Sequence, residues 1–152
     1  MTTEPNNRSR QVLDELTSTM RINPDEYSLN TSPSRLKSLG YALAGWLYML
    51  RHQKNTRIMS VASIVILVIA FWLEVSLTAW AILILTITIV WMAEFLNAAV
   101  EAVVNLASPQ FHPMAKVAKD VAAAAVLLGA VASLLVGLLV LGPPLLAKLG
   151  WM

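Results

Sequence analysis

Cysteine is absent, so the chain has no disulfide framework and neither a thiolate nucleophile nor a thiolate metal site. Charge is scarce as well: Asp, Glu, Lys and Arg make up only 13% of 152 residues and balance to +2. So small an excess gives nucleic acid no electrostatic footprint, and the basic residues gather instead near the ends of apolar runs. Residues 1–32 lack the apolar core of a signal peptide. What remains is hydrophobic: 57% of the residues are apolar, too many for the core of a soluble domain of this size. One all-α membrane domain is the expected architecture.

Four segments follow from the pattern. Residues 1–32 mix charges with Pro5, Pro24 and several Asn and Thr, and read as a flexible cytoplasmic tail. Over residues 33–57, Leu36, Leu39, Leu43, Trp46, Leu47 and Leu50 recur at helical spacing, which predicts an amphipathic helix on a membrane surface. A basic segment with Arg51, His52, Lys54 and Arg57 closes it. Residues 58–141 hold three predicted transmembrane helices, about Ile58 to Leu73, Leu77 to about Leu96 with a helical continuation beyond, and about Val121 to Leu141. Glu74 to Ser76 reads as a tight turn, and Trp80 and Trp91 are spaced for the two interfacial aromatic belts. Ala125, Gly129, Ser133 and Gly137 form a small-residue ladder suited to close helix packing. Gly142, Pro143 and Pro144 are expected to stop the third span, leaving residues 142–152 as a short tail. Lysines and arginines precede the first and third spans, while the loop after the first has none. The positive-inside rule therefore places the N-terminus and the loop before the third span in the cytoplasm.

One stretch breaks the apolar pattern. At about 100° per residue, Glu94, Asn97, Glu101 and Asn105 share a single helix face, so two carboxylates and two amides form one stripe at the end of a span. Ionisable groups entering a membrane segment are costly and mark a site or pathway by default; the other reading is an interfacial helix whose acids reach solvent. Beyond the stripe, Pro109 and Pro113 flank His112, and Lys116, Lys119 and Asp120 open the next helix, with Lys116 and Asp120 one turn apart. Carboxylates that hold a divalent cation, facing lysines that hold phosphate oxygens, suit phosphoryl transfer, whose catalysis is mainly positioning and charge stabilisation. Lysines at this place also serve as cytoplasmic membrane anchors, and both readings stand.

The spacing of Glu94, Asn97, Ala99, Glu101, Ala102, Val103 and Val104, then His112, then Ala118, Lys119, Asp120, Ala124, Ala125 and Val126, resembles the signature of the small bacterial integral-membrane lipid kinases, the diacylglycerol kinase and undecaprenol kinase family. The similarity runs from about Lys37 to the last span, and Asn55 and Arg57 fit the family pattern too. The resemblance implies an ATP-dependent kinase of a membrane lipid alcohol, diacylglycerol or undecaprenol, using Mg²⁺. It also implies a homotrimer in the bacterial inner membrane, with active sites between subunits on the cytoplasmic side. It assigns Glu94 as the general base that takes the lipid hydroxyl proton and Glu101 as a magnesium ligand. Asn97, Asn105, Lys119 and Asp120 fall around nucleotide and phosphates, and so does His112, for which a structural or exposed role is an equal reading. No G-x-x-x-x-G-K-[ST] occurs, so nucleotide binding would not use a P-loop.

Two positions depart from that pattern. Gln53 stands where the family carries a glutamate as second metal ligand, and Asn105 where several members have aspartate. An amide oxygen is a weaker partner for Mg²⁺ than a carboxylate. The departures open a second reading, a non-catalytic membrane homologue acting through protein or lipid interaction.

Overall fold

The computed structural model describes residues 35–151, so the expected N-terminal tail lies outside the described residues. These residues form four helices and no strand: α1 Arg35–His52, α2 Lys54–Trp72, α3 Leu77–Ala107 and α4 Pro113–Lys148. The chain divides at Gly45 into two units. Of the first, residues 35–44 are helical, with Leu36, Leu39, Tyr41 and Leu43 all exposed. The second unit holds the rest of α1 and the other three helices.

The last three helices are each long and apolar enough to cross a membrane. Runs such as Ile64-Val65-Ile66-Leu67-Val68-Ile69 and Ile82-Leu83-Ile84-Leu85-Thr86-Ile87 are rich in β-branched residues, which favour strands in water. In hydrocarbon the backbone has no water to bond, so only a form that satisfies its own N–H and C=O groups survives. Hydroxyls in the spans follow the same rule: Thr86 Oγ1 donates to the Ile82 carbonyl at 2.7 Å and Thr88 Oγ1 to that of Ile84 at 2.8 Å.

α2 begins four residues before the expected start of the span and takes Lys54 and Arg57 of the basic segment into its first turns, while Arg51 and His52 end α1. A single extended residue, Gln53 (φ −98°, ψ 116°), separates it from α1. α2 ends in a Schellman turn: Glu74, at φ 54°, sends its N–H to the Phe71 carbonyl and Val75 sends its own to Ala70. Ser76 then caps α3, its hydroxyl accepting from the Ala79 N–H.

Two expectations about α4 are corrected. Pro143 and Pro144 do not stop the helix, which runs on to Lys148. Their rings forfeit only their own N–H bonds, while the residues after them still donate. The actual stop is at Gly150 (φ 75°), where Gly150 N bonds the Ala147 carbonyl and Trp151 N that of Leu146. The small-residue ladder, in turn, is not a tight seam within one chain. A Cβ on Gly129 would meet Val90 Cγ2 at an ordinary 3.7 Å, and one on Gly137 would meet nothing within 4 Å.

α4 packs chiefly on α3, yet none of its residues is buried. The core is thin: Met49, Ala70, Leu73, Leu83 and Val90, with Thr56 and Glu94 as buried polar residues among those described. At one end Lys148 Nζ lies 4.7 Å from the centre of the Trp72 ring and donates to the Trp72 carbonyl, which ties the end of α4 to the end of α2. Trp91 is also part of a joint between helices. It stacks on Trp46 of α1 at 4.7 Å, and its Nε1 donates to Ser63 Oγ of α2 at 3.1 Å.

Candidate active site

Asn55 lies seventeen residues before Trp72 on α2, and Glu94 seventeen residues after Leu77 on α3. In this antiparallel pair the two therefore meet at the same height, and both line one cleft. Glu94 is 2% exposed. Two helical turns on, Glu101 Oε1 accepts from Asn97 Nδ2 at 3.1 Å. These four polar residues line one side of a cleft of about 440 Å³ whose remaining walls are apolar, among them Met59, Val90, Val126 and Leu127. Two acceptor atoms in it are buried without a partner, Glu94 Oε2 and Asn97 Oδ1. Of the two readings of the stripe, the structure gives the interior one for Glu94. Burying a carboxylate oxygen with no donor is costly, and a native fold keeps such an atom where something else supplies the donor.

One turn past Glu101 the stripe leaves this cleft. Asn105 Oδ1 accepts from Lys119 Nζ at 2.6 Å, and Lys116 forms an ion pair with Asp120. Together with His112 these line a second, open groove of about 450 Å³ between the end of α3 and the start of α4. His112 is the N-cap of α4, its Nδ1 accepting from Met114 N at 3.2 Å, with Pro113 at the start of the helix. An accepting Nδ1 places the proton of a neutral ring on Nε2.

The site residues thus fall into two adjoining groups along one face of α3. Glu94, Asn97 and Glu101 share the buried cleft; Asn105, His112, Lys119 and Asp120 share the groove. Gln53 joins neither: it sits half-exposed in the break between α1 and α2, makes no capping bond and does not line the cleft. Sequence reasoning placed Asn55 in the family pattern without its place in the cleft beside Glu94. The available signal was an amide in the first turn of a span, where only apolar residues are expected.

The sequence model of the prokaryotic diacylglycerol kinase family matches residues 40–141, about two thirds of the chain. The chain belongs to this family. Several family members with curated names are similar over two thirds or more of their length. The diacylglycerol kinase of Synechocystis is 43% identical over 117 residues, 76% of this chain and 67% of that protein. The undecaprenol kinase of Bacillus subtilis is 38% identical over 72% of this chain and 89% of its own. The Escherichia coli diacylglycerol kinase is 32% identical over 66% and 82%. The matched region of this kinase-family chain contains both the cleft and the groove, and the relatives' names divide between two lipid alcohols.

Proposed function

We propose that the protein transfers the γ-phosphoryl group of ATP to the hydroxyl of a membrane lipid alcohol, diacylglycerol or undecaprenol. The observation that carries this reading is Glu94: a carboxylate buried at the level of the first turn of α2, with one oxygen unpartnered, in a cleft otherwise walled by hydrocarbon. A lipid alcohol brings what that cleft lacks, a hydroxyl donor, on a body that suits its walls. As the alcohol oxygen forms its bond to the γ-phosphorus, the bond from that phosphorus to the β–γ bridging oxygen breaks and ADP leaves. The hydroxyl proton passes to Glu94 Oε2.

Lys119 and Lys116 stand in the adjoining groove, where their ammonium groups are suited to phosphate oxygens once the bonds to Asn105 and Asp120 are exchanged. No cluster of three or more His, Asp or Glu is present among the described residues. Mg²⁺ does not require one, since it commonly takes one or two carboxylates together with substrate phosphates and water. The residues present fit that demand: Glu101 supplies a carboxylate and Asn97 Oδ1 an unpartnered oxygen beside it. Bound there, the ion would neutralise charge on the transferring phosphate.

The same reading sets the protein in the inner membrane as a homotrimer, with cleft and groove facing the cytoplasm. In support, Arg51, Lys54, Arg57, Lys116 and Lys119 all belong to the end that carries the groove, whereas Lys148 lies at the other, engaged with Trp72. The non-catalytic reading draws on Gln53, but a residue that does not line the cleft takes no ligand from it by being neutral.

Purified protein in lipid bilayers, given ATP, Mg²⁺ and either diacylglycerol or undecaprenol, is expected to form the phosphorylated lipid. Failure to phosphorylate any lipid alcohol, in protein that is folded and assembled, would overturn the proposal.

A further inference from the structure

We infer that Trp91 is a positioning residue for the reaction: its bond to Ser63 and its stack on Trp46 set how far the α2 wall of the cleft stands from Glu94. The inference rests on the reading of that cleft as the seat of the lipid hydroxyl.

An indole N–H in a membrane span needs an acceptor, and the acceptor it finds decides where the ring points. Trp91 Nε1 donates to Ser63 Oγ at 3.1 Å, so a side chain of α3 is tied to a side chain of α2. Packing does little at this place. α3 packs far more extensively on α4 than on α2, and Ser63 and Trp91 both line a hollow of about 160 Å³ between the three helices. Met59, Val90 and Ala130 line this hollow and the cleft alike, so the tie lies directly beside the cleft. Where neighbouring atoms are missing, van der Waals contact does not fix the spacing of two helices, and a bond across the gap does.

The ring itself is held as well. Trp46 of α1 stacks on it at 4.7 Å with the planes 22° apart, and Phe95 lies 5.3 Å from Trp46 and 6.1 Å from Trp91. Trp91 and Phe95 bracket Glu94 in the sequence, so the turn of α3 that carries the base is held on its neighbouring face by aromatic rings. Ser63 stands one turn past Met59, a residue of the α2 wall. The joint therefore reaches both sides of the cleft, the α3 turn through Trp46 and Phe95 and the α2 wall through Ser63. None of Trp46, Ser63, Trp91 and Phe95 lines the cleft, so the joint acts on the reaction through the spacing of the walls.

The test uses the full chain in bilayers. Ser63→Ala and Trp91→Phe each remove the hydrogen bond and leave the aromatic stack. The chain has no cysteine, so spin labels on Val61→Cys of α2 and Ile89→Cys of α3, both exposed positions, report the distance between the two helices. Each variant is expected to lengthen or broaden that distance, and Ser63→Thr, which keeps an acceptor, should preserve it. The ratio of lipid phosphorylation to hydrolysis of ATP by water should fall about 3- to 10-fold, the scale of one neutral hydrogen bond. A wider cleft holds the lipid hydroxyl less often in line with the γ-phosphorus, whereas water is placed no worse. The double variant should lose no more than either single one, since both remove the same bond. A loss of folded protein would lower both rates alike and leave their ratio at the wild-type value. That outcome overturns the inference, as does an unaltered distance in both single variants. A wild type that phosphorylates no lipid alcohol refutes the kinase reading, and the distances then decide: unaltered, they refute the joint as well; lengthened, they leave it as the device that sets the width of the cleft.

Discussion

The acid cleft and the lysine groove lie on the same face of α3, one helical turn apart, and their polar atoms are in opposite states. In the cleft two buried acceptors have no donor. In the groove the chain satisfies itself: Lys119 donates to Asn105, and Lys116 pairs with Asp120, both ends of that pair more than 60% exposed. A buried acceptor without a partner costs about 1–3 kcal/mol, while an exposed ion pair is worth about 0–1 kcal/mol. The cleft thus gains from the arrival of a hydroxyl, and the groove loses little when its internal bonds are traded for phosphate. Under the proposed function, one region would receive a specific donor and the other would hold an exchangeable phosphate.

Substitutions that act on one region and spare the other test this contrast. The largest effect is expected from Glu94→Gln, which leaves the shape of the cleft and removes its proton acceptor. Lipid phosphorylation should fall by about 10² to 10⁴-fold while the protein still assembles and binds nucleotide, and near-normal turnover would remove Glu94 from the role of base. Lys119→Gln should act on binding. The KM for ATP should rise about 10- to 100-fold, the scale of one charged hydrogen bond, with kcat less affected. A fall in kcat alone would erase the division between the two regions. The smallest effect is expected from Gln53→Glu. A carboxylate in the break between α1 and α2, away from the cleft lining, is screened from a metal at Glu101. The Mg²⁺ concentration for half-maximal activity should shift less than about twofold. A larger drop would bring Gln53 to the metal through a conformation or a subunit contact that the single chain does not contain.

How far the sequence disclosed these regions depended on the range of each contact. The stripe was legible because helical periodicity alone puts Glu94, Asn97, Glu101 and Asn105 on one face, and the Lys116–Asp120 pair because both partners lie one turn apart. The division of the stripe was not. Asn105 turns to Lys119, fourteen positions away, across a loop whose path no local pattern fixes. Asn55 joins Glu94 in the cleft from another span, and only the register of the turn between α2 and α3 brings them level. The end of α4 was misread because two prolines are a strong local stop signal, whereas a Schellman turn at Gly150 needs the αL backbone to be seen. For Trp91, composition suggested an interface, but its partners on α1 and α2 lie far off in sequence and left no local signal.

The three spanning helices are also unequal, at 19, 31 and 36 residues, or roughly 28, 46 and 54 Å long. Since Lys148 meets Trp72 and a short turn joins α2 to α3, the three are flush at that end, and the surplus of α3 and α4 stands beyond the start of α2 at the other. α2 alone matches the roughly 30 Å of a bilayer's hydrocarbon, and the longer pair extends past its start. Glu94 lies level with the start of α2, so under the proposed function the base would stand at the end of the shortest span, where a lipid's headgroup and a soluble nucleotide could meet.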